Sequence, residues 1–357
     1  MSEIKKVIVC EFNTFHDECL FSFCKLFTQE GYQVTLVANE RIKARLEQSL
    51  STVTHQRVYF PFSTRLQGLA TLWSFYRYVI QSGINLLFIN TAQGNMVWKL
   101  FMFPFPKRIK IAGTLHNIQK LKTSFGQRFI TRRLSGYVLL NDLLLPHYQK
   151  LTTHSVEVIY PVFYPSYHLT RIQKPQEEVW ITIPGAVSFG RRDYAALIPK
   201  PGDSYAPYVK FIILGNIHRA DGEEIKRQIN DADLLSHFIL FDSYVNDELF
   251  YSFVEQSDYI LPLIHPSKSR YAKYLTEKIS GTYNLAIAKR KPMLLPIEMQ
   301  CNSDFADTAF FYDEMDFVNQ INQLKPHPST DHLFLEDKWT LSYQGQKMKQ
   351  LLYNLSL

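Results

Sequence analysis

The chain has 357 residues, of which 46% are hydrophobic and 14% aromatic, so it can build two domains with large cores and lacks the composition of a disordered protein. Its 39 lysines and arginines outnumber its 33 acidic residues and give a net charge of +6. This mild excess suits an anionic ligand or an anionic membrane surface, and by itself it is too small to indicate nucleic acid binding.

The cysteines and the apolar stretches indicate the compartment. The four cysteines lack the paired spacing of a zinc site, and Cys10, Cys19 and Cys24 lie in apolar surroundings that suit reduced thiols in a cytoplasm. The first residues lead directly into a predicted strand rather than into a cleavable apolar region. No apolar run reaches the roughly 20 residues that a transmembrane helix needs. We expect a cytoplasmic protein, soluble or bound peripherally to the inner face of the cytoplasmic membrane.

Strands and helices alternate along the first half of the chain, which predicts a parallel sheet covered on both faces. The strand at 6–10, the polar turn at 11–18, the helix at 19–29 and the strand at 33–38 form a first βαβ unit. The turn lacks the GxGxxG pattern, which disfavours a dinucleotide cofactor. Further strands are predicted at 58–60, 85–90, 109–114, 136–140 and 156–160, with a helix at 66–80.

The second half repeats this pattern after a segment at 161–178 that is rich in prolines and aromatic residues, which we interpret as an interdomain linker. A closing C-terminal helix is predicted at 339–355. The predicted strands are 179–183, 209–214, 238–241, 260–264, 293–295 and 310–312, and the predicted helices are 193–198, 223–230, 247–255, 283–289 and 317–324.

The segment 260–296 is the most informative βαβ unit of the second half. Its strand is followed by a polar, basic loop that reaches Lys273 and by a helix that begins near Ser280. The polar groups therefore gather at the carboxyl end of the strand, where open α/β sheets bind their ligands. A helix beginning near Ser280 would direct free N–H groups and the positive end of its dipole towards an anion such as a phosphate.

Two such halves, a linker and a closing helix resemble the GT-B glycosyltransferases. Local segments resemble the GT4-type enzymes of that fold, the glycosyl transferases of group 1. The segment LAIAKRKPML at 285–294 resembles their EAMACGKPVI helix and strand, and FIILG at 211–215 resembles one of their glycine-ended strands. SDYILP at 257–262 and VIYPV at 158–162 resemble two further strands. The resemblance extends over most of the chain.

The resemblance implies an α/β fold of two Rossmann-like domains that face a cleft. They are an acceptor-binding domain at 1–165 and a nucleotide-sugar-binding domain at 175–335, with a C-terminal helix at 336–357 that packs back on the first. The implied activity is transfer of a sugar from a nucleotide sugar, a UDP-sugar being favoured, to a glycan or lipid-linked acceptor in bacterial surface polysaccharide or glycoconjugate assembly. The family usually works without a metal, and we expect no cofactor here.

Two departures from the family pattern leave other functions open. The E-x7-E motif falls on Glu277 and Leu285, so the second glutamate, which usually contacts the donor ribose, is absent. The glycine pair after the first strand is replaced by EFNTFHDE at 11–18. A non-catalytic GT-B partner subunit and a nucleotide-sugar epimerase of the same fold remain alternatives. Nucleic acid binding is disfavoured because the basic residues look scattered along the sequence.

Candidate donor-site residues are cations and helix N-terminal groups, because negative charge builds on the leaving nucleotide as the glycosidic bond breaks. Gly185, Arg191 and Arg192 follow the first strand of the second half, where similar enzymes place a basic diphosphate contact. The alternative is that both arginines are solvated and pair with Asp193. The other candidates are Lys273, Lys278, Ser280 and Gly281, for which exposed lysines and an ordinary helix cap are the alternatives.

Candidate catalytic residues lie in both halves. Glu277 could hold donor-sugar hydroxyls or stabilise positive charge on the anomeric carbon, or be a surface glutamate. His116 follows a predicted strand, and similar enzymes place a histidine there against the donor sugar; a structural histidine is the alternative. His16, Asp17 and Glu18 follow the first strand, and any of them could act as the acceptor base of an inverting reaction. A helix cap by Asp17 is the alternative there.

The stretch VWKLFMFPFPKRIK at 97–110 combines large apolar residues with four basic ones. One interpretation is a buried helix followed by a loop. The other is docking on an anionic inner leaflet, which suits a lipid-linked acceptor.

Overall fold

The computed structural model describes residues 4–63, 68–219 and 221–357, with only the backbone of Arg270. The chain divides into two compact units. The first comprises the chain up to Ser166 together with Thr276–Ile279 and Asp337–Leu357. The second comprises Tyr167–Leu275 and Ser280–Glu336. The four residues Thr276–Ile279 thus lie with the first unit, whereas the sequence-based limits placed them in the second domain.

Each unit is built on one parallel sheet. The strands of the first are β1 (Lys6–Glu11), β2 (Gln33–Asn39), β3 (Gln56–Phe60), β4 (Leu86–Ile89), β5 (Lys110–Thr114), β6 (Gly136–Leu139) and β7 (Val156–Val158). Those of the second are β8 (Val179–Pro184), β9 (Val209–Asn216), β10 (Phe238–Phe241), β11 (Tyr259–Ile260), β12 (Met293–Pro296) and β13 (Ala309–Tyr312).

Fourteen α-helices lie in the described part of the chain. They are α1 (Leu20–Gln29), α2 (Lys43–Ser49), α3 (Gly68–Gln81), α4 (Asn95–Leu100), α5 (Lys120–Thr123), α6 (Phe125–Arg133), α7 (Leu145–Gln149), α8 (Gly222–Asp231), α9 (Asp247–Gln256), α10 (Ser269–Thr276), α11 (Gly281–Ala288), α12 (Ser303–Ala306), α13 (Phe317–Asn322) and α14 (Leu341–Asn354). None of them is long and apolar enough to span a membrane.

The strand order of the first sheet is β3-β2-β1-β4-β5-β6-β7, and all neighbouring pairs are parallel. All four residues of β4 are buried, as expected for a strand with helices on both faces. The order reverses between β1 and β4, so the loops after these two strands flank the topological switch point, where open sheets bind ligands.

Helices cover the first sheet on both faces. The connections from β1 to β2 and from β2 to β3 run across the sheet in one direction, and those from β3 to β4 and onwards run in the other. Because crossovers between parallel strands are right-handed, α1 and α2 lie on one face of the sheet and α3 to α6 lie on the other. Helix α14 packs against α1, and its residues Met348 and Leu351 share a core with Phe23 and Leu36. This confirms the prediction that the C-terminal helix returns to the first domain.

The second sheet has the order β10-β9-β8-β11-β12-β13 and is also fully parallel. Its switch point lies between β8 and β11, beside the loop that begins at Gly185. The core of this unit combines apolar side chains from β8 and β9, such as Ile181 and Phe211, with Ile225 of α8. The prediction of two Rossmann-like halves is confirmed.

Three local predictions were wrong. The apolar run 260–264 leaves the sheet after Ile260, because Pro262 has no N–H to donate and Leu263 adopts a positive φ of 54°. The basic loop that follows contains helix α10, whose buried Tyr271 and Tyr274 have helical spacing. The helix expected at 193–198 is a single 3-10 turn at Tyr194–Leu197. The start of the helix expected at 66–80 lies outside the described residues.

Candidate functional site

The candidate site of the first unit is built on a buried carboxylate at its switch point. Glu11 is the last residue of β1 and is fully buried. Its Oε1 accepts hydrogen bonds from the backbone and side-chain nitrogens of Asn13, both at 2.8 Å. Its Oε2 accepts from Asn90 Nδ2 at 2.7 Å and from Thr91 Oγ1 at 2.5 Å, just after β4. Burial raises the pKa of Glu11, although these bonds oppose the rise.

Asn90 connects this carboxylate to two histidines. Its Nδ2 also donates to the backbone oxygen of His16 at 2.8 Å, and its own backbone oxygen lies 2.9 Å from His116 Nε2. Because a carbonyl oxygen can only accept, His116 donates from Nε2 and presents Nδ1 as an acceptor. The two histidine rings stack with centroids 3.8 Å apart and an interplanar angle of 21°. His16 has a positive φ of 68°, an uncommon conformation for a residue with a side chain.

The two histidines differ in exposure. Burial lowers the pKa of His116 to about 3, and the neighbouring His16 adds to the effect, so His116 is neutral near pH 7. The side chain of His16 is 31% exposed, and its Nδ1 lies 3.5 Å from Glu18 Oε1. A partly exposed imidazole beside a carboxylate has the arrangement of a general base and its orienting partner.

Asp17 has a different environment from His16. Its Oδ2 lies 3.4 Å from Nε of Arg45, so the carboxylate forms an ion pair with this guanidinium. The N-cap residue of α1 is Cys19 and that of the preceding 3-10 turn is His16, so Asp17 does not occupy the N-cap position of either.

Glu277 and Lys278 lie in the segment that joins the first unit. The backbone oxygen of Glu277 accepts a hydrogen bond from Ile118 N at 2.9 Å, two residues after His116. Ile279 packs against the first core. Both Glu277 and Lys278 are half-buried. Their predicted roles at the donor sugar and the diphosphate stay predictions.

In the second unit, Arg192 joins the loop after β8 to the start of α11. The arginine is only 6% exposed. Its Nη2 donates to the oxygen of Pro184 and, at 3.1 Å, to Thr282 Oγ1, and its Nη1 donates to the oxygen of Ala186 at 3.1 Å. The alternative of a solvated arginine is therefore wrong for Arg192, although Arg191 beside it is exposed.

Gly185 allows this loop to close over the guanidinium. Its φ is +101°, and a Cβ at this position would lie 3.2 Å from Arg192 Nη2. A residue with a side chain would therefore be strained and crowded at this position. The glycine keeps the backbone close to a buried positive charge at the carboxyl end of β8.

The N-terminus of α11 adds a second positive potential beside Arg192. Ser280 is the N-cap, and its Oγ accepts from Thr282 N at 3.4 Å. Gly281, the first helical residue, is exposed. The helix dipole and the guanidinium together favour an anion here. Lys273 lies in the last turn of α10 and is half-buried.

A charged cluster that the sequence did not predict lies beyond β11 and β13. The ammonium group of Lys268 contacts Asp193 Oδ2 and lies 2.8 Å from Glu314 Oε1. This pairing, despite partial burial, raises the pKa of Lys268, and the hydrogen bond from Lys268 lowers that of Glu314. His265 is buried beside them, and burial lowers its pKa. Asp193 thus pairs with Lys268 and not with the arginines before it.

Sequence reasoning missed most of the groups that support these sites. Glu11 ends β1, and Asn90 and Thr91 directly follow β4, so the rule that ligands bind at strand ends could have found them. Glu314 has the same signal, since it follows β13 by two residues. The hydrogen bonds of Arg192 could not be predicted, because a guanidinium next to a glycine-containing loop is usually solvent-exposed.

Solved structures that match the whole chain identify its architecture. A glycosyltransferase from Rickettsia africae covers 99% of both chains at 10% identity, with a TM-score of 0.63. HepE of Anabaena, solved with UDP and glucose, covers 99% of this chain and 100% of its own at 13% identity, with a TM-score of 0.65. The chain has the GT-B fold.

The GT-B fold alone does not determine the reaction. The UDP-GlcNAc 2-epimerase of Neisseria meningitidis, solved with UDP-GlcNAc, covers 98% of this chain and 100% of its own at 12% identity, with a TM-score of 0.58. No protein-family model matches the chain, and no curated protein matches it in sequence. Function must therefore be argued from the sites.

Proposed function

We propose that this GT-B protein is a glycosyltransferase that moves a sugar from a nucleotide sugar, a UDP-sugar being favoured, to a hydroxyl group of a glycan or lipid-linked acceptor. The observation that carries the proposal is the position of Arg192 between the Gly185 loop and the N-terminus of α11. It concentrates positive potential at the switch point of the second sheet, where a nucleoside diphosphate would leave. HepE of Anabaena, solved once with UDP and glucose and once with UDP-glucose, supports the choice of base.

The donor groups have distinct roles in this proposal. The guanidinium of Arg192 is bonded to protein oxygens, so it acts through its field and by fixing the loop. The exposed Arg191 and the first N–H groups of α11 are the direct phosphate contacts. Leu285, which replaces the second motif glutamate, is buried within α11 and has no polar group for a ribose. The ribose is therefore held by other residues than in the GT4-type enzymes.

The acceptor groups come from the first unit. His16 removes the proton of the acceptor hydroxyl at Nε2 while Glu18 holds its Nδ1–H. The acceptor oxygen forms the new bond to the anomeric carbon, and the bond from that carbon to the diphosphate oxygen breaks. The leaving nucleoside diphosphate takes the electron pair. His116 stays neutral and accepts a hydrogen bond from a sugar hydroxyl at Nδ1. This scheme inverts the configuration at the anomeric carbon.

We further propose that transfer needs no metal ion. The positive charge that a metal would supply comes from Arg191, Arg192 and the dipole of α11. A chelator such as EDTA should therefore leave the rate of transfer unchanged. Loss of transfer on chelation, with recovery on adding a divalent cation, would contradict this part of the proposal.

An epimerase is the second candidate, because UDP-GlcNAc 2-epimerases share the fold over nearly the whole chain. The decisive experiment incubates the full chain with UDP-glucose or UDP-GlcNAc, with and without glycan and lipid-linked acceptors, and follows the products by NMR. Release of UDP that depends on the acceptor supports a transferase. An isomer of the donor formed without acceptor supports an epimerase. A donor that stays unchanged in every mixture supports the partner-subunit alternative.

Synthesis of surface polysaccharide or glycoconjugate at the cytoplasmic membrane is the setting that we propose for this transfer. A lipid-linked acceptor would be presented at a membrane surface. The first unit has surface features that suit contact with such a membrane.

A further inference from the structure

The charge of the chain is strongly uneven along its sequence. Residues 48–141 contain 12 lysines and arginines and no aspartate or glutamate. The rest of the chain therefore has 39 − 12 = 27 basic and 33 acidic residues, a net charge of −6. A stretch of this length without an acid concentrates the whole positive excess of the protein in one part of the first unit. The interpretation that the basic residues are scattered was wrong.

The helices of this acid-free stretch form one layer of the first unit. It extends from before β3 to just after β6 and includes α3, α4, α5 and α6. Helix α4 packs against both α3 and α6, so the three form a continuous layer on the face of the sheet opposite α1 and α14. Seven of the 12 basic residues lie on α3 to α6, so positive charge is concentrated on this face of the unit.

Large apolar side chains are exposed on the same layer. Met102 is 63% exposed in the loop after α4, Phe125 is 82% exposed at the start of α6, and Trp73 of α3 is 48% exposed. Trp73, Tyr76 and Phe103 contact one another with ring centroids 5.0–5.5 Å apart. Trp73 is exposed and Tyr76 and Phe103 are half-buried, and contiguous, partly exposed aromatic groups of this kind mark interaction surfaces.

Exposed cations lie on the same helices and loops as these apolar groups. Arg77 is exposed on α3, Lys107 and Arg108 on the loop before β5, and Arg128 and Arg132 on α6. A cavity of about 300 Å³ opens beside them, and its lining has the same mixed character. It includes Phe101, Phe103, Phe105, Lys107, Lys110 and Arg133.

We propose that this layer, which we call the basic-aromatic face, docks the protein on a bilayer that contains anionic lipids. Tryptophan and other aromatic side chains favour the boundary between headgroups and acyl chains, and neighbouring lysines and arginines bind anionic headgroups. A nucleic acid would match the charge, but its backbone would leave the exposed Met102 and Phe125 in water. The cavity with three phenyl rings and three basic side chains suits a lipid phosphate with its first methylene groups.

The proposal is tested by sedimentation of the full chain with vesicles. One set contains phosphatidylcholine alone, and the other contains phosphatidylcholine mixed with phosphatidylglycerol. We expect binding to the second set only, and we expect it to weaken as salt is raised, because surface charges are screened. Equal binding to both sets, or to neither, would overturn the proposal. Tighter binding to single-stranded DNA than to anionic vesicles would assign the face to nucleic acid.

Matched variants separate this face from the rest of the surface. The double variant Lys107→Glu with Arg108→Glu should lower vesicle binding by about tenfold or more, since each basic residue near an anionic bilayer contributes to binding. Arg41→Glu with Lys43→Glu reverses two exposed charges at the start of α2, on the opposite face, and should leave binding within about twofold. Equal losses in both pairs would show a general charge effect and overturn the docking face.

A second pair of variants tests insertion of the apolar groups. Met102→Ser with Phe125→Ser should weaken vesicle binding, and the binding that remains should be more sensitive to salt than that of the wild-type chain. Tyr353→Ser with Met315→Ser removes two side chains that are similarly exposed, at 78% and 77%, outside the face and should have no effect. Unchanged binding of the first pair would overturn insertion. All four variants should bind UDP like the wild-type chain, so a failure of vesicle binding is distinguishable from a failure of the proposed transferase.

Discussion

The imidazole rings of His16 and His116 stack at 3.8 Å, and the side chain and backbone of Asn90 hold both residues in place. The pair joins the loop after β1 to the loop after β5 across the strand end of β4. One ring is buried and neutral, and the other is partly exposed beside a carboxylate. In the proposed reaction, His116 accepts a hydrogen bond from a sugar hydroxyl, and His16 accepts the proton of the acceptor hydroxyl.

Replacing His116 should separate transfer from nucleotide binding. In His116→Gln, the loss of the Nδ1 acceptor should reduce the rate of transfer by about 100-fold, a typical contribution of a positioned catalytic group. The affinity for UDP should stay within about twofold, since His116 lies in the first unit. Steady-state transfer and UDP titration measure the two quantities. Wild-type transfer in this variant would make His116 a purely structural residue.

The buried His116 should also make the stability of the protein depend on pH. Its pKa is lowered from 6.5 to about 3 in the folded chain, so the unfolded state binds more protons between these values. The free energy of unfolding should therefore fall as the pH is lowered from about 6.5 towards 3.

His116→Gln is the matched control for this dependence, because glutamine does not titrate. Urea unfolding at several pH values should show a shallower loss of stability in the variant than in the wild type over this range. Parallel profiles for the two proteins would show that His116 is not held neutral by burial.

Arg192 and Arg191 should respond differently to truncation. Arg192→Ala leaves the oxygens of Pro184 and Ala186 without their donor, and each buried group left unsatisfied costs about 1–3 kcal/mol. The free energy of unfolding and the UDP affinity should both fall. Arg191→Ala removes an exposed side chain, so it should weaken UDP binding while stability changes by less than about 0.5 kcal/mol. Unchanged UDP affinity in both variants would remove the loop from the donor site.

The buried ion pair of Lys174 and Asp258 should hold the second unit together. Their side chains are 3% and 1% exposed, and Asp258 also accepts from the backbone nitrogens of Trp180 and His327 at 2.7 and 2.8 Å. Lys174→Met leaves the carboxylate as an uncompensated buried charge and should cost about 3–5 kcal/mol.

Thermal or urea unfolding measures the loss of stability in Lys174→Met. Lys325→Met is the control at an exposed lysine outside the pair. If Lys174→Met were as stable as the wild type, the ion pair would contribute nothing beyond its hydrogen bonds.

Much of the fold follows from the sequence pattern. Short apolar runs separated by helical spacing predicted nearly all strands of the described residues, because buried parallel strands have nearly continuous apolar sequences. Helix α10 was missed because its charged residues were interpreted as a basic loop, although the spacing of Tyr271 and Tyr274 indicates a helix. The short β11 ends where Pro262 cannot donate, a signal that was present in the sequence.

The candidate site is less predictable than the fold. Residue type and strand-end position were enough to select His16, His116 and Arg192. The network around Glu11 depends on which strands become neighbours, and the order β1-β4-β5 brings together residues some 80 positions apart, as in the bond from Asn90 to Glu11. A single sequence without that order cannot show which polar residues meet.

The most direct test of the account is the binding of UDP, GDP, dTDP, ADP and CMP to the wild-type chain, measured by ligand-observed NMR. We predict that UDP binds to the wild-type chain. Gly185→Ala should weaken UDP binding, because the new methyl group would crowd Arg192. Gly190→Ala is the control, since its Cβ would meet only Ser188 Oγ at 3.5 Å, and it should bind UDP normally. If none of the five nucleotides binds at millimolar concentration, the second unit has no donor site and the glycosyltransferase proposal is wrong.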